Sequence, residues 1–176
     1  MRMRFKFLLF LLFVSTILMS QRDIDMGVEL QIYPTGVIPG ISLEKNIFSH
    51  DQLYFRFGAN IFNHRDLGVQ EKERGYGIGF SLGYKRFFSD DGTKWKLGVK
   101  NDFWWNQVKW ENPSLQTEGD TKITVLQPTL EVGYSFKKGA YKIIPSLAAG
   151  YEINIKTDGA PTGEGAIILL GISIVK

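Results

Sequence analysis

The chain of 176 residues is long enough for one domain. It contains no cysteine, which excludes disulfides, thiolate zinc sites and a lipid anchor attached to cysteine. Its 21 basic and 18 acidic side chains give a formal net charge of +3.

The first element along the chain is a leader of the secretory type. Arg2, Arg4 and Lys6 precede an apolar run over Phe7–Met19, and polar residues follow from Gln21. A helix of that length would span about 20 Å, which is short of the roughly 30 Å hydrocarbon core of a membrane. We therefore predict a signal peptide over residues 1–20 rather than a membrane anchor.

Removing this leader changes the charge of the protein. The leader carries three basic residues and no acidic residue, so the remaining segment 21–176 carries 18 side chains of each sign. A neutral chain offers no excess of positive charge to a phosphate backbone, and we expect no nucleic-acid partner.

Beyond the leader, apolar residues recur at every second position, which predicts β-strands rather than helices. The clear runs lie at 53–61, 76–85, 95–105 and 141–155, and weaker candidates lie near 26–34, 37–48, 122–136 and 165–175. These eight segments predict an all-β, antiparallel, up-and-down transmembrane barrel as a single domain over residues 21–176.

The predicted connections differ in length in a regular way. Those at 49–51, 89–94 and 137–140 are short, whereas those at 64–74, 111–121 and 157–164 are longer and polar. Short turns at one end and long loops at the other are typical of outer-membrane barrels. The first connection, around Thr35 and Gly36, is shorter than this scheme predicts.

Alternation alone does not say which face is inside, because a soluble barrel around a ligand alternates too. Here the polar faces are rich in glycine, which suits a narrow, filled lumen, and the apolar faces carry bulky side chains. Trp95 and Trp105 are ten residues apart, a rise of about 25 Å on a tilted strand, which matches the apolar band of such barrels. We expect the apolar faces to contact lipid.

Three prolines lie inside predicted strands, where each lacks the N–H that a ladder needs: Pro39, Pro128 and Pro145. Around Pro128 the pattern is also blurred, because Ile123 and Val125 are out of phase with the apolar residues that follow. The sequence predicts a β-bulge near Gln127–Pro128.

The segments GYGIGFSLGYKRFF at 75–88 and LEVGYSF at 130–136 resemble strands of Bacteroidetes barrel proteins. Over residues 24–176 the chain resembles the small Gram-negative outer-membrane barrels of the OmpA/OmpX type. That resemblance implies eight strands, contact with outer-membrane lipid, and a role that ranges in the family from structural anchor or adhesin to narrow pore or lipid-modifying enzyme. Such barrels usually end near an aromatic residue, whereas this chain ends GISIVK.

On this assignment of faces, ten charged side chains point into the lumen, five of each sign. They are Glu29, Glu44, Asp102, Glu131 and Glu152, against Arg56, Lys85, Lys100, Lys142 and Lys156. Buried charges need partners, and a selective pore would favour one sign. We therefore interpret the set as a packed, self-neutralising interior rather than an ion pathway.

The chain offers few residues for chemistry. Neither of its two histidines, His50 and His64, belongs to a His-x-Ser pair, and carboxylates do not cluster around them, so we assign no catalytic residue and no metal site. Gly75, Gly77 and Gly79 follow strand alternation and no helix comes after them, which excludes a phosphate-binding loop. We expect no cofactor.

Three functions remain open from the sequence. The first is a non-enzymatic outer-membrane protein with a structural role, with long loops that meet an extracellular or envelope protein, or with a lumen that is a very narrow pore. The second is a lipid A-modifying enzyme that uses His64 or His50. The third is a soluble secreted barrel that binds a small apolar ligand, which requires Phe80 and Leu147 to point inward.

Overall fold

The computed structural model describes residues 24–63, 68–89 and 93–176, which form a closed antiparallel barrel of eight strands in sequence order. The strands are β1 (Ile24–Tyr33), β2 (Gly36–Asn46), β3 (Asp51–Asn63), β4 (Lys72–Phe87), β5 (Lys94–Asn112), β6 (Thr117–Lys138), β7 (Tyr141–Asp158) and β8 (Gly165–Val175). The predicted eight-stranded all-β barrel is confirmed. The predicted signal peptide lies outside the described residues.

The ring closes where β1 pairs with β8, from Gly27 opposite Val175 to Ile32 opposite Leu170. Two backbone hydrogen bonds between Met26 and Lys176, of 3.0 and 2.9 Å, extend this seam. The end of the barrel that holds the Met26–Lys176 contact also carries the β2–β3, β4–β5 and β6–β7 connections, and we call it the turn end. The opposite end is the loop end. No helix among the described residues is long and apolar enough to cross a membrane.

The outer surface is a continuous apolar belt. Trp95 and Trp105 both point outward, with 57% and 51% of their surface exposed, and Leu82 is 50% exposed beside the fully buried Ser81. Phe80 lies on this outer face, where its ring stacks on Phe103 at 5.1 Å between centroids. The predicted orientation of the faces is therefore correct.

The soluble-barrel alternative is wrong for the same reason. It requires Leu147 to face a ligand inside the barrel, yet Leu147 is 47% exposed on the outer surface. Exposure of such a large apolar belt to water is unfavourable, so the outer face is suited to contact with lipid.

The prediction of a bulge at Gln127–Pro128 is wrong in position. Along β6 every second side chain from Thr121 to Ser135 is buried, so the alternation passes through Pro128 without a break. Ile123 and Val125 look out of phase in the sequence because they point inward and pack in the lumen. The register shift falls between Thr124 and Val125, and the extra residue is on β7.

Each proline lies beside a gap in one ladder. The ladders skip two residues at 38–39 on the β3 side of β2, at 127–128 on the β7 side of β6, and at 144–145 on the β6 side of β7. On its other side each proline keeps a paired neighbour: Leu30, Asn101 and Ile172 respectively. The missing N–H thus removes one local contact without opening the ring.

The predicted long connection at 111–121 is also wrong. β5 continues to Asn112 and β6 begins at Thr117, with a single 3₁₀ turn, Pro113–Leu115, between them. Beyond the apolar belt both faces of a strand meet water, so the ladder can continue although the alternation of apolar residues has stopped. The result is a β5–β6 hairpin that projects from the loop end.

The lipid-facing belt leads to a test at Val99, which is 49% exposed and lies between Trp95 and Trp105 on β5. We expect Val99→Arg to lower the free energy of unfolding by about 2–4 kcal/mol, the cost of a cation near the bilayer midplane. Unfolding by urea in phosphatidylcholine vesicles measures it. Phe88→Arg, beyond the end of β4, is the control and should cost no more than about 1 kcal/mol. Equal costs at the two positions would contradict a membrane belt.

Candidate functional site

Side chains fill the lumen in three layers. An apolar layer towards the loop end contains Ile38, Phe62, Trp104, Val108, Ile123, Val125, Ala148, Ile167 and Leu169. A smaller apolar layer near the turn end contains Phe87, Ile144 and Val175. Between them, eight charged side chains are buried: Glu29, Glu44, Asp102 and Glu131 with Arg56, Lys85, Lys96 and Lys100. These eight are called the ionic layer.

Arg56 is the centre of the ionic layer. Its side chain has no exposed surface, and its Nη1 donates to Glu29 Oε1 at 2.7 Å while its Nη2 donates to Asp102 Oδ1 at 3.2 Å. Its Nε donates to Ser81 Oγ at 3.0 Å. The planar guanidinium spreads five donors over three nitrogens, whereas the ammonium of a lysine would offer three donors at one point.

Glu29 is the carboxylate with the most partners. Besides Arg56, it accepts hydrogen bonds from the Tyr54 hydroxyl at 2.8 Å and the Ser173 hydroxyl at 3.1 Å. The ammonium of Lys100 lies 3.8 Å from Glu29 and 3.9 Å from Asp102. Since Ser173 is on β8 and Arg56 is on β3, this cluster ties strands together across the seam of the ring.

The rest of the ionic layer forms two pairs closer to the turn end. Lys85 donates to Glu44 at 2.7 Å, and its ammonium lies 3.9 Å from the centre of the Tyr54 ring. Lys96 pairs with Glu131, which also accepts from the Ser146 hydroxyl at 3.4 Å. Four carboxylates therefore meet four cations in a space closed to solvent.

Seven of the ten predicted inward charges are found in this layer, and three are not. Lys142 is half-buried at the turn end, 3.6 Å from Asp25, and Glu152 is also only half-buried. Lys156 points outward, because the extra residue in β7 reverses the alternation just before it. The prediction missed Lys96, although it lies four residues before Lys100 and shares its phase on β5.

The glycines of the lumen make room for the loop-side apolar layer. Trp104 is fully buried, and its ring lies against Gly79 of the neighbouring strand so closely that a Cβ at Gly79 would collide with it. The Arg56 guanidinium lies 5.6 Å from the centre of the same ring. The cavity among Tyr54, Lys85 and Glu131 has a volume of about 10 Å³, room for one water at most.

Outside the ionic layer, the buried carboxylate of Glu73 holds two loops at the loop end. Its Oε1 accepts the N–H groups of Val69 and Gln70 at 2.9 and 3.0 Å, and both oxygens lie 3.3 Å from the N–H of Gly163. Gln70 also donates to the carbonyl of Pro161 at 2.9 Å. Glu73 lay in a predicted loop, where no alternation marked it as buried. It fastens the β7–β8 loop against the start of β4.

The residues considered for catalysis are not assembled into a site. His50 lies at the turn end, where its Nδ1 is 3.3 Å from the backbone carbonyl oxygen of Ser89. His64 lies outside the described residues. Gly75, Gly77 and Gly79 are in β4, without a helix after them. Within the described part of the chain, no three His, Cys, Asp or Glu side chains are grouped as metal ligands.

Comparison with known proteins shows the same fold in outer-membrane barrels. No known family profile matches the sequence, and no curated protein matches it. In structure the chain is similar to the N-terminal β-barrel domain of Pseudomonas aeruginosa OprF, at 15% identity and a TM-score of 0.50, covering 89% of this chain and 98% of that one. It is also similar to Ail of Yersinia pestis, crystallised with the heparin analogue sucrose octasulfate, at 10% identity and a TM-score of 0.51, covering 88% and 97%. The fold is that of eight-stranded outer-membrane barrels.

The ionic layer leads to a prediction at Arg56. We expect Arg56→Ala to lower the free energy of unfolding by about 3–5 kcal/mol, because the buried carboxylates of Glu29 and Asp102 would remain charged after losing the guanidinium that pairs with both. Urea unfolding in vesicles measures it, and Arg74→Ala is the control. Arg74 pairs with Glu111 at 2.8 Å, but both side chains are exposed. Its loss should cost about 0–1 kcal/mol. Similar losses in the two variants would contradict the role of burial.

The contacts of Glu73 lead to a prediction about local opening. We expect Glu73→Gln to speed amide hydrogen exchange at Gly163 and Val69 by about tenfold or more, because hydrogen bonds to a charged group contribute about 1.5–3 kcal/mol. Exchange in the β1–β8 seam should not change. Glu118→Gln, which alters an exposed carboxylate, is the control. Unchanged exchange at Gly163 would show that the loops are held by other contacts.

Proposed function

We propose that the protein is an integral barrel of the outer membrane of a Gram-negative bacterium, exported with loss of residues 1–20, that acts without catalysis through the surface at its loop end. In this proposal the ionic layer is a self-neutralising structural core and the lumen does not conduct.

The observation that carries the proposal is the filling of the lumen. Eight strands enclose only enough space for side chains, and large side chains of the three layers, among them Trp104, Arg56 and Lys96, are buried there. A pore selective for one kind of ion would favour one sign of charge, whereas the ionic layer carries four of each. Ions would also have to pass the loop-side apolar layer, where the fully buried Trp104 ring occupies the lumen.

The loop end is the surface that this proposal makes functional. The projecting β5–β6 hairpin and the loop held by Glu73 together form a shaped, polar platform. Exposed charges of both signs lie on it, among them Lys72, Lys109, Glu118 and Asp120. Such a surface suits recognition of an extracellular or envelope protein.

The arrangement of the titratable groups supports a role without catalysis. The buried carboxylates of the ionic layer are each paired with a buried cation, and the His50 ring contacts the backbone carbonyl of Ser89 at the turn end. A nucleophile, a base and an orienting group must converge for hydrolytic chemistry on lipid.

Two measurements test this function. The protein should fractionate with the outer membrane, and its migration on gels should change on boiling, because a closed barrel resists detergent until heated. In planar bilayers it should give no steady conductance. A reproducible unitary current would contradict a filled lumen, and a lipid A mass spectrum altered by deletion of the protein would contradict the absence of catalysis.

A further inference from the structure

The outer surface of the barrel carries a groove near the loop end of the apolar belt. It runs across β4, β5, β6 and β7 and has a volume of about 420 Å³. Tyr76, Ile78 and Trp105 form its apolar part and are each more than half exposed. Lys122, Lys156 and Asp158 form its polar rim. The groove therefore joins a lipid-facing surface to a charged one.

The bulge in β7 creates this rim. Up to Asn154, even-numbered residues of β7 point into the lumen, and Asn154 pairs with Val125. After the extra residue, Ile155, the even-numbered residues point outward, and Lys156 pairs with Thr124. Without the bulge, Lys156 would enter the apolar layer around Trp104. Bulges commonly re-aim a side chain at a functional site.

The two lysines of the rim lie close together on neighbouring strands. Lys122 pairs directly with Asp158, so Lys156 is its diagonal neighbour, about 7–8 Å away along the backbone. Neither ammonium forms an ion pair with a carboxylate among the described residues, and both side chains are exposed. Their long stems allow both charges to converge on one anion.

A second groove beside this one is a less suitable anion site. It shares Tyr76 and Gln107 with the first and carries Arg74 and Lys109. The guanidinium of Arg74 is, however, already paired with Glu111 at 2.8 Å. Of the two grooves, the one that the β7 bulge forms is therefore the one in which both cations are free of ion pairs with described residues.

We propose that the groove of Tyr76, Trp105, Lys122 and Lys156 binds the phosphate-bearing headgroup of an outer-leaflet lipid. The inference rests on the proposed location in the outer membrane and adds to it a defined lipid site. Lys122 and Lys156 hold the phosphate, and the acyl chains lie against Ile78 and the outer face of Trp105. Asp158 weakens the site, because its carboxylate repels the same phosphate.

The test measures lipid retained by the purified full-length barrel in phosphatidylcholine nanodiscs that contain diphosphoryl lipid A, by native mass spectrometry. We expect the wild-type barrel to retain lipid A in preference to phosphatidylcholine. Each cation near an anionic lipid surface changes the affinity by about fivefold. The affinity of the variant K122Q/K156Q for lipid A should therefore fall by about thirtyfold. The variant Asp158→Asn should bind lipid A about fivefold more tightly, and a poorly folded variant would not show such a gain.

The control is K137Q/K138Q, which removes two exposed lysines of β6 at the opposite end of the barrel and should leave retention unchanged. Inorganic phosphate should not displace the lipid. Equal loss in both double variants, no gain with Asp158→Asn, or displacement by inorganic phosphate would overturn the lipid site while the barrel remained inserted. A wild-type chain that does not enter nanodiscs would instead contradict the proposed function.

Discussion

The constraint on which the structure depends is the narrowness of an eight-stranded ring. Its lumen has no space for bulk water, so each polar group that points inward must be satisfied by another inward side chain. Arg56 meets this requirement by joining Glu29, Asp102 and Ser81, which come from three other strands. The same closure that removes every free strand edge thus favours an extended network among the inward side chains, although the buried amide of Asn106 has no hydrogen-bond partner among the described residues.

The apolar layers on either side of the ionic layer make that network more consequential. The two apolar layers keep solvent away from the ionic layer, so the attraction between its charges is screened little. If one partner were removed, the repulsion among the remaining charges would also be screened little. Gly79 contributes by leaving the space that the Trp104 ring fills. The small Gly79 on β4 and the large Trp104 ring on β5 therefore help to keep water away from the ionic layer.

Period-two alternation was sufficient to predict the strand number, their order and the outward face, because lipid and lumen impose opposite chemistry on alternate residues. It failed where that contrast ends. Above the belt, Asn112 and Thr117 pair although neither face there meets lipid. Inside, Ile123 and Val125 are apolar because they pack against the Trp104 layer. The outward position of Lys156 depends on one extra residue in β7, which no local pattern around Ile155 marks.

The β5–β6 hairpin carries its turn well beyond the lipid-facing belt. Trp105 pairs with Thr124, and β6 continues seven residues beyond that point to Thr117. At about 3.3 Å per residue and a tilt of about 40°, the tip stands about 18 Å above Trp105. Leu115, 70% exposed in the turn of this hairpin, therefore displays an apolar side chain to water at a height that lipid does not reach.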